Sequence, residues 1–376
     1  MTRVQLGEIC ERLSSGKSIK AVEVQDLGPY PVIGGNGLRG YAERYNFDGE
    51  CAVIGRQGAA CGNVRFHSGK AYMTEHAVVA VANESSDSHY LAYLLSTMNL
   101  GRLSAQSAQP GLSVKTLSKQ EIYLPPLEKQ KQVVEVLGRI DAKIEANAKL
   151  NGYLAELLEV LYGEYYLRPQ GYDVHWCELG SLCEPISKKH SFKDAELVFL
   201  NTGDVERGLF LHSNYSPVAD MPGQAKKSIE KGDILYSEIR PINRHYAYVN
   251  FPADDYVVST KLMVLRANNF DGRRLYQFLT LRKTVESLQQ EAEGRSGTFP
   301  QIRFDILAKL QVPIAPAEVE EEYKSLIHVI YDLIDSNAEE NGALSLLRDS
   351  LLPRLMSGEI DVSKVELPMQ LNSHLA

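Results

Sequence analysis

The chain has 376 residues, more than one hydrophobic core usually serves, so two or more domains are expected. Apolar residues make up 44% and charged residues 23%, which excludes a disordered chain, and no apolar run approaches the roughly 18 residues of a membrane span. The net charge of −8 lies wholly in residues 314–376, while 1–125 carry +1, 126–168 carry −1 and 169–313 are neutral. Composition therefore neither supports nor excludes a nucleic-acid partner.

The start, Met-Thr-Arg-Val-Gln-Leu-Gly-Glu, has no apolar signal core, and a cytoplasmic protein is expected. Short β-type runs follow at Cys51–Ile54 and Val78–Val81, then an apolar helix around Tyr90–Met98. A strand ending at Pro125-Pro126 leads into a long helix. Its apolar residues fall at Val133, Leu137, Ile140, Ile144, Leu154, Leu158 and Leu161, with Asn147 and Asn151 filling two seam places. The same plan then returns. Val198–Leu200, Ile234–Tyr236 and Leu262–Leu265 read as strands, and Leu275–Leu288 as a helix. A second long helix places Leu326, Ile330, Leu333, Asn337, Glu340, Leu344, Leu347 and Leu351 in its seam.

The return is visible in local matches. "LGEICE" at 6–11 recurs as "LGSLCE" at 179–184, and "QEIYLPP" at 120–126 resembles "AKLQVPI" at 308–314. "RIDAKIEANAKL" at 139–150 resembles "LIDSNAEENGAL" at 333–344, and Gly49–Ile54 resembles Gly232–Ser237. Each match is weak alone; their shared order argues for a duplication. One such helix alone would lie on its own domain, whereas two of similar length favour pairing with each other.

"GGNGLRG" at 34–40 fits the G-x-G-x-x-G dinucleotide template through Gly35, Gly37 and Gly40. The context fails: no apolar helix follows to hold a pyrophosphate, and no acidic residue stands where a ribose would need one. What remains is a loop of glycines presenting Asn36, Arg39 and Tyr41. A second cluster at 54–66 presents Arg56, Gln57, Asn63 and Arg65. Arg, Gln and Asn can make paired hydrogen bonds to guanine and adenine edges, although solvated turns without a partner would look the same. In the second copy the matching candidates are Arg240, Asn243, Arg244, Arg295, Thr298 and Gln301. Glu75-His76 and His245 could be imagined as catalytic, but a lone histidine beside a strand is more often structural. No metalloprotease, serine-hydrolase or amino-methyltransferase motif is present, and the five cysteines show no C-x-x-C pair.

With these features in hand, the chain resembles the specificity (S) subunit of type I restriction–modification systems. "LPPLEKQKQVVEVLGRIDAKI" at 124–144 and "LLPRLMSGEIDV" at 351–362 look like its spacer helices. "YPVIGGNGLRGY", "IGRQGAACGNV", "TEHAVV" and "EGRSGTFPQIRFDIL" look like its recognition domains. "PIAPAEVEEEYKSL" departs from the first spacer's pattern. The resemblance implies an α/β (α+β) fold. Two target-recognition domains, 1–125 and 169–313, are separated by two long antiparallel coiled-coil spacer helices, 126–168 and 314–362. A tail follows at 363–376, and the whole is a pseudo-two-fold repeat. It also implies a non-catalytic subunit that reads a bipartite site in double-stranded DNA and docks two adenine-methyltransferase (M) subunits and motor-nuclease (R) subunits. S-adenosylmethionine, ATP and Mg are then expected on those partners and no cofactor on this chain. The alternatives are an enzyme, for which no motif is found, and a free-standing DNA-binding or scaffold protein without a methyltransferase partner.

The implied spacer of roughly 37 residues is about 55 Å long at 1.5 Å per residue. At about 3.4 Å per base pair it would hold two readers no more than roughly 16 base pairs apart. Methylome sequencing of a host carrying this chain and its methyltransferase should show two short blocks, different from each other, around an unspecified gap. A continuous or palindromic motif contradicts the duplication reading.

Overall fold

A run such as Cys-Ala-Val-Ile carries apolar side chains on both faces of an extended chain. Such a run is stable only as an inner strand covered on both sides. A computed structural model describes residues 2–104, 111–295 and 299–365, and it places these runs in that position. The chain divides into two compact units. One is built from residues up to Glu145 and from Asn341 onward, the other from Ala146–Glu340. Each takes one half of each long helix.

The first unit contains β1 (Thr2–Gln5), β2 (Cys10–Ser15), β3 (Tyr30–Gly34), β4 (Gly37–Ala42), β5 (Phe47–Gly55), β6 (Val64–Met73), β7 (Ala77–Ala82) and β8 (Glu121–Leu124). Its helices are α1 (Ser88–Ser96), α2 (Val114–Ser118) and the start of α3 (Leu127–Tyr162). Six strands form one sheet in the order β2-β7-β5-β6-β3-β4, and β1 pairs separately with β8. Ala52, Ile54, Val78 and Ala80 face one core with α1, whereas Cys51, Val53, Ala77 and Val79 face another on the opposite side. Burial pushes the Cys51 thiol up to about 12, the environment of an inert packing residue.

The second unit runs through β9 (His175–Glu178), β10 (Cys183–Pro185), β11 (Glu196–Leu200), β12 (Val205–Glu206), β13 (Leu209–Phe210), β14 (Tyr215–Pro217) and β15 (Ala225–Ser228). It continues through β16 (Ile234–Ser237), β17 (Tyr246–Tyr248), β18 (Tyr256–Ser259), β19 (Leu262–Ala267), α4 (Gly272–Thr280), α5 (Arg282–Arg295), α6 (Phe304–Leu307), β20 (Gln311–Ile314) and α7 (Ala317–Met356). Its sheets have the orders β10-β19-β16-β17 and β14-β11-β18-β15, and β9 pairs with β20 as β1 does with β8. Gly55 pairs with Ala77 where Ser237 pairs with Leu262, so the two copies align there. The expected match of Gly49–Ile54 with Gly232–Ser237 is thus one residue out of register, because a shared Gly-acid pair drew the sequences together at the wrong place.

The single helix expected over Leu275–Leu288 is two. Leu281 leaves the helical region with ψ 139 although no proline or glycine stands there. Tertiary contacts supply the break. Thr280 Oγ1 bonds back to the Tyr276 and Gln277 carbonyls, and Glu159 of α3 accepts the Arg282 N–H that opens α5.

Within each unit α3 and α7 run antiparallel. In the first, Asn341 donates to the Ile144 carbonyl and Arg348 pairs with Asp141 at 3.1 Å. In the second, Asn147 donates to Glu340, Asn151 to the Ile334 carbonyl and Asn337 to Asn151. The α3 seam lies where the sequence puts it. The α7 seam is shifted: Tyr323, Ile327, Ile330, Ile334, Asn337, Asn341, Leu344, Arg348, Leu351 and Leu355 are the covered positions, while Leu326, Leu333 and Leu347 stand 37%, 42% and 47% exposed. Two heptad phases share Ile330, Asn337, Leu344 and Leu351. Tyr323 and Arg348 decide between them, since an apolar count passes over a tyrosine and an arginine at seam positions.

Leu158→Ala should therefore cost about 2–5 kcal/mol, and Leu347→Ala less than about 0.5 kcal/mol. Urea denaturation of the two variants checks the seam phase; equal losses would contradict it.

Candidate nucleic-acid interface

In the first unit the glycine-rich stretch is a hairpin, not a loop. β3 and β4 are joined through Gly35-Asn36, with Gly34 opposite Gly37. The tip packs on two other turns. A Cβ on Gly35 would fall 2.7 Å from the His76 carbonyl oxygen and 3.5 Å from the Arg56 nitrogen, so only glycine permits this approach. Gly37 has φ +97, and a Cβ there would run into the Arg65 guanidinium, which lies across it from β6. The glycines bring together the hairpin tip, the segment after β5 and the turn before β7.

That convergence gathers most of the candidates. Asn36 is exposed at the tip, and Arg39 is exposed on β4 with its stem over Gly34. Arg56 donates its N–H to the His76 carbonyl, and its own carbonyl accepts from Leu112 N. Gln57 is exposed, and its Oε1 lies 3.1 Å from His76 Nδ1. Among the described residues, Arg39, Arg56 and Arg65 form no ion pair. Two candidates do not join. Tyr41 is tied by its backbone to Gln25 at the far end of β4, because Gly40 (φ +145) and a register shift after Val32 turn the strand end away. Asn63 uses its carbonyl to hold Gly55 N, and lines a separate cavity of about 500 Å³ with Arg65, Ser96, Thr97 and Asn99.

In the second unit Arg240 and Arg244 flank a one-turn helix at Pro241–Asn243, and both sit in the left-handed region with φ +45 and +57. Backbone bonds hold this shape: Arg240 N–H reaches the Pro300 carbonyl at 3.1 Å, and Asn243 N–H the Arg240 carbonyl at 2.9 Å. Gln301 pairs its backbone with Ile239, and its Oε1 accepts from Lys261 Nζ at 3.4 Å. Arg295 ends α5 and is bonded to Glu291 at 3.0 Å, an ordinary helix ion pair. Thr298 lies outside the described residues.

The structure adds residues that the sequence reading passed over. Arg207 (φ +49) and Gly208 (φ +89) turn the β12–β13 hairpin, and their N–H groups bond to the carbonyls of Arg244 and Tyr246. This puts a third arginine beside Arg244. An Arg-Gly pair between Val205-Glu206 and Leu209-Phe210 is a hairpin signal that the sequence did carry. Lys261 could have been found by aligning "MTEHAVVAVAN" at 73–83 with "VSTKLMVLRAN" at 258–268, where it takes the place of His76. His245 serves structure, with Nδ1 on the Val205 carbonyl at 2.8 Å. Among the described residues no group of histidine, cysteine and carboxylate side chains could hold a metal, and no helix is long and apolar enough to cross a membrane.

Duplicated α/β units, paired long helices and basic, amide-bearing turns define the class of fold. The family model described as the type I restriction modification DNA specificity domain matches residues 1–154 and again 173–345, and the chain belongs to this family. It is 43% identical over 176 residues to the HindI type I restriction enzyme specificity subunit of Haemophilus influenzae, covering 46% of this chain and 38% of that one. It is 38% identical over 143 residues to the EcoprrI specificity subunit of Escherichia coli, covering 37% and 35%. These matches span little more than a third of either relative. The crystal structure of a type I restriction–modification S subunit from M. genitalium shares the fold, with a TM-score of 0.62 over 94% of this chain and 95% of that one at 16% identity.

Gly37→Ala must strain a left-handed residue and push Arg65 off the hairpin. A loss of about 1–3 kcal/mol in urea denaturation is expected, whereas Gly152→Ala, with no neighbour within 4 Å on the outer face of α3, should be neutral or stabilising.

Proposed function

We propose that this chain is the specificity subunit of a type I restriction–modification complex. Its two recognition domains, residues 1–125 and 169–313, each read one half of a bipartite, asymmetric site in double-stranded DNA. The observation that carries this reading is the repeat itself: the family model matches twice, and each unit gathers arginines and amides on turns held by the same backbone frame. Arg39, Arg56, Arg65, Arg207, Arg240 and Arg244 supply charge for phosphates and donors for base edges. Asn36, Gln57, Asn243 and Gln301 supply amides at the same turns.

The chain performs no chemistry of its own. It acts in the cytoplasm, where two adenine-methyltransferase subunits dock on its helices and bring S-adenosylmethionine, and the motor-nuclease subunits bring ATP and Mg. The half of α3 in the second unit suits such docking. Leu150, Tyr153, Leu157 and Val160 form a second stripe at heptad spacing, 40–67% exposed, flanking the α7 seam.

Replacing residues 1–125 by another domain of this kind should change one block of the methylated motif and leave the other block unchanged, as read by methylome sequencing. A swap that alters both blocks sinks the two-reader proposal. Tyr153→Asp with Leu157→Asp should leave thermal stability unaltered and abolish co-purification of the methyltransferase; retained co-purification would move docking to another face.

A further inference from the structure

The two candidate interfaces are built on one frame, residue for residue. After β5, Arg56 donates its N–H to the His76 carbonyl and accepts from Leu112 N; after β16, Glu238 donates to the Lys261 carbonyl and accepts from Ile302 N. Gln57 bridges to Gly111, and Ile239 bridges to Gln301. The positions Arg56, Gln57, His76, Gly111 and Leu112 thus match Glu238, Ile239, Lys261, Gln301 and Ile302.

Each frame carries one glutamine, but from opposite sides of the bridge: Gln57 from the segment after β5, Gln301 from the segment before α6. In both, the amide is held by the residue that immediately precedes β7 or β19. His76 Nδ1 lies 3.1 Å from Gln57 Oε1, and Lys261 Nζ lies 3.4 Å from Gln301 Oε1. Each holder has a carboxylate beside it. His76 Nε2 is 3.5 Å from Glu75 Oε1, and Lys261 Nζ is 3.1 Å from Glu238 Oε2, whose side chain is four-fifths covered. Different residues on an equivalent frame converge on a carboxylate, a basic side chain and an amide; the Lys261 ammonium donates to both of its neighbours, whereas a neutral imidazole at His76 donates to one of them.

We propose that Gln57 and Gln301 are the base-reading residues of their units, that Lys261, backed by Glu238, is a positioning residue that chooses which end of the Gln301 amide is offered, and that His76 is the positioning residue of the Gln57 amide. This rests on the DNA-reading function proposed above and adds to it the reading residue and its logic. A lysine ammonium has only donors, so it can hold only the oxygen of Gln301. The NH₂ group is left outward, a donor suited to the major-groove acceptors of guanine, adenine N7 or thymine O4, and unsuited to the cytosine amino group. An unheld glutamine could turn over and accept instead, so the holder removes an ambiguity at the cost of one hydrogen bond.

The test uses the assembled methyltransferase complex and a pool of duplexes randomised across both blocks. Gln301→Ala should lower discrimination at one position of one block by about 5- to 150-fold and leave the other positions intact. Lys261→Met should relax that same position, and Lys261→Arg, which again offers only donors, should restore it. Gln57→Ala and His76→Ala should relax one shared position in the other block. If Lys261→Met lowers the melting temperature, the comparison is made on Lys261→Arg against Gln301→Ala, and discrimination by Lys261→Arg that stays as low as in Gln301→Ala overturns the proposal. So does a Gln301→Ala variant that weakens all sequences alike, as a phosphate grip would, or that changes no position. Both of these leave the two-reader function standing, whereas single substitutions that alter both blocks at once break that function instead.

Discussion

Each unit depends on a two-stranded antiparallel clasp that ties its first strand to the strand running into a long helix. Thr2 to Gln5 pair with Leu124 to Glu121, and His175 to Glu178 pair with Ile314 to Gln311. The Leu6 N–H reaches the Gln120 carbonyl at 2.8 Å and the Leu179 N–H reaches the Leu310 carbonyl at 2.9 Å. Gly7 and Gly180 lie so close to Ser118 and Ala308 that a side chain would have to push them aside. The clasp closes the recognition domain on itself and leaves the chain aimed into α3 or α7, so whatever the turns hold is carried on the helix of the same unit.

Polar locks then join each domain to its helix halves. In the first unit Tyr93 of α1 bonds to Asp141, which also pairs with Arg348. Gln130 binds the Pro125 carbonyl and accepts from Ser86 Oγ and Asp87 N at the start of α1. In the second unit Arg274 is 1% exposed, its guanidinium 3.8 Å from the Tyr166 ring centre and within 6 Å of those of Tyr162 and Tyr323. It donates to the Pro313 carbonyl at 2.9 Å, and Glu320 lies 3.9 Å away. Burying a guanidinium is costly unless it is paired and hydrogen-bonded; aromatic faces, a carbonyl and a carboxylate together offset that cost. Breaking such a lock would loosen a domain from its helix half without touching the turns.

The turns carry stored strain in the second unit. Three arginines at positive φ, each costing on the order of 1–3 kcal/mol, persist because neighbouring backbone groups over-determine them. Arg207 is held by the Arg244 carbonyl, Arg244 by Pro241 and Arg240 by Pro300. The first unit solves the same geometric problem with glycines. Glycine places side chains from three segments side by side, whereas strained arginine places its own side chain at the turn. Equivalent frames therefore present different chemistry.

Much was legible in the order of residues. Apolar runs covered on both faces named the inner strands, the heptads named α3 and α7, and the repeated "LGxxCE" and strand-proline-helix signals named the duplication. All of these are local periodicities, and burial enforces them wherever the chain folds. The turn positions of Arg56, Gln57, Arg240 and Gln301 were also legible, because amides and arginines among glycines and prolines mark turns. Tertiary structure alone decided the rest. The helix break at Leu281 comes from caps offered by Glu159, far away in sequence. The α7 phase comes from Tyr323 and Arg348, which reach polar partners on other elements while filling seam positions. The pairing of Gln57 with His76 and of Gln301 with Lys261 joins residues brought together by glycine-sized clearances and backbone bridges. The sequence by itself determined which segments must be covered and which must turn; which side chains then meet depended on contacts between distant segments, whose distances no local pattern encodes.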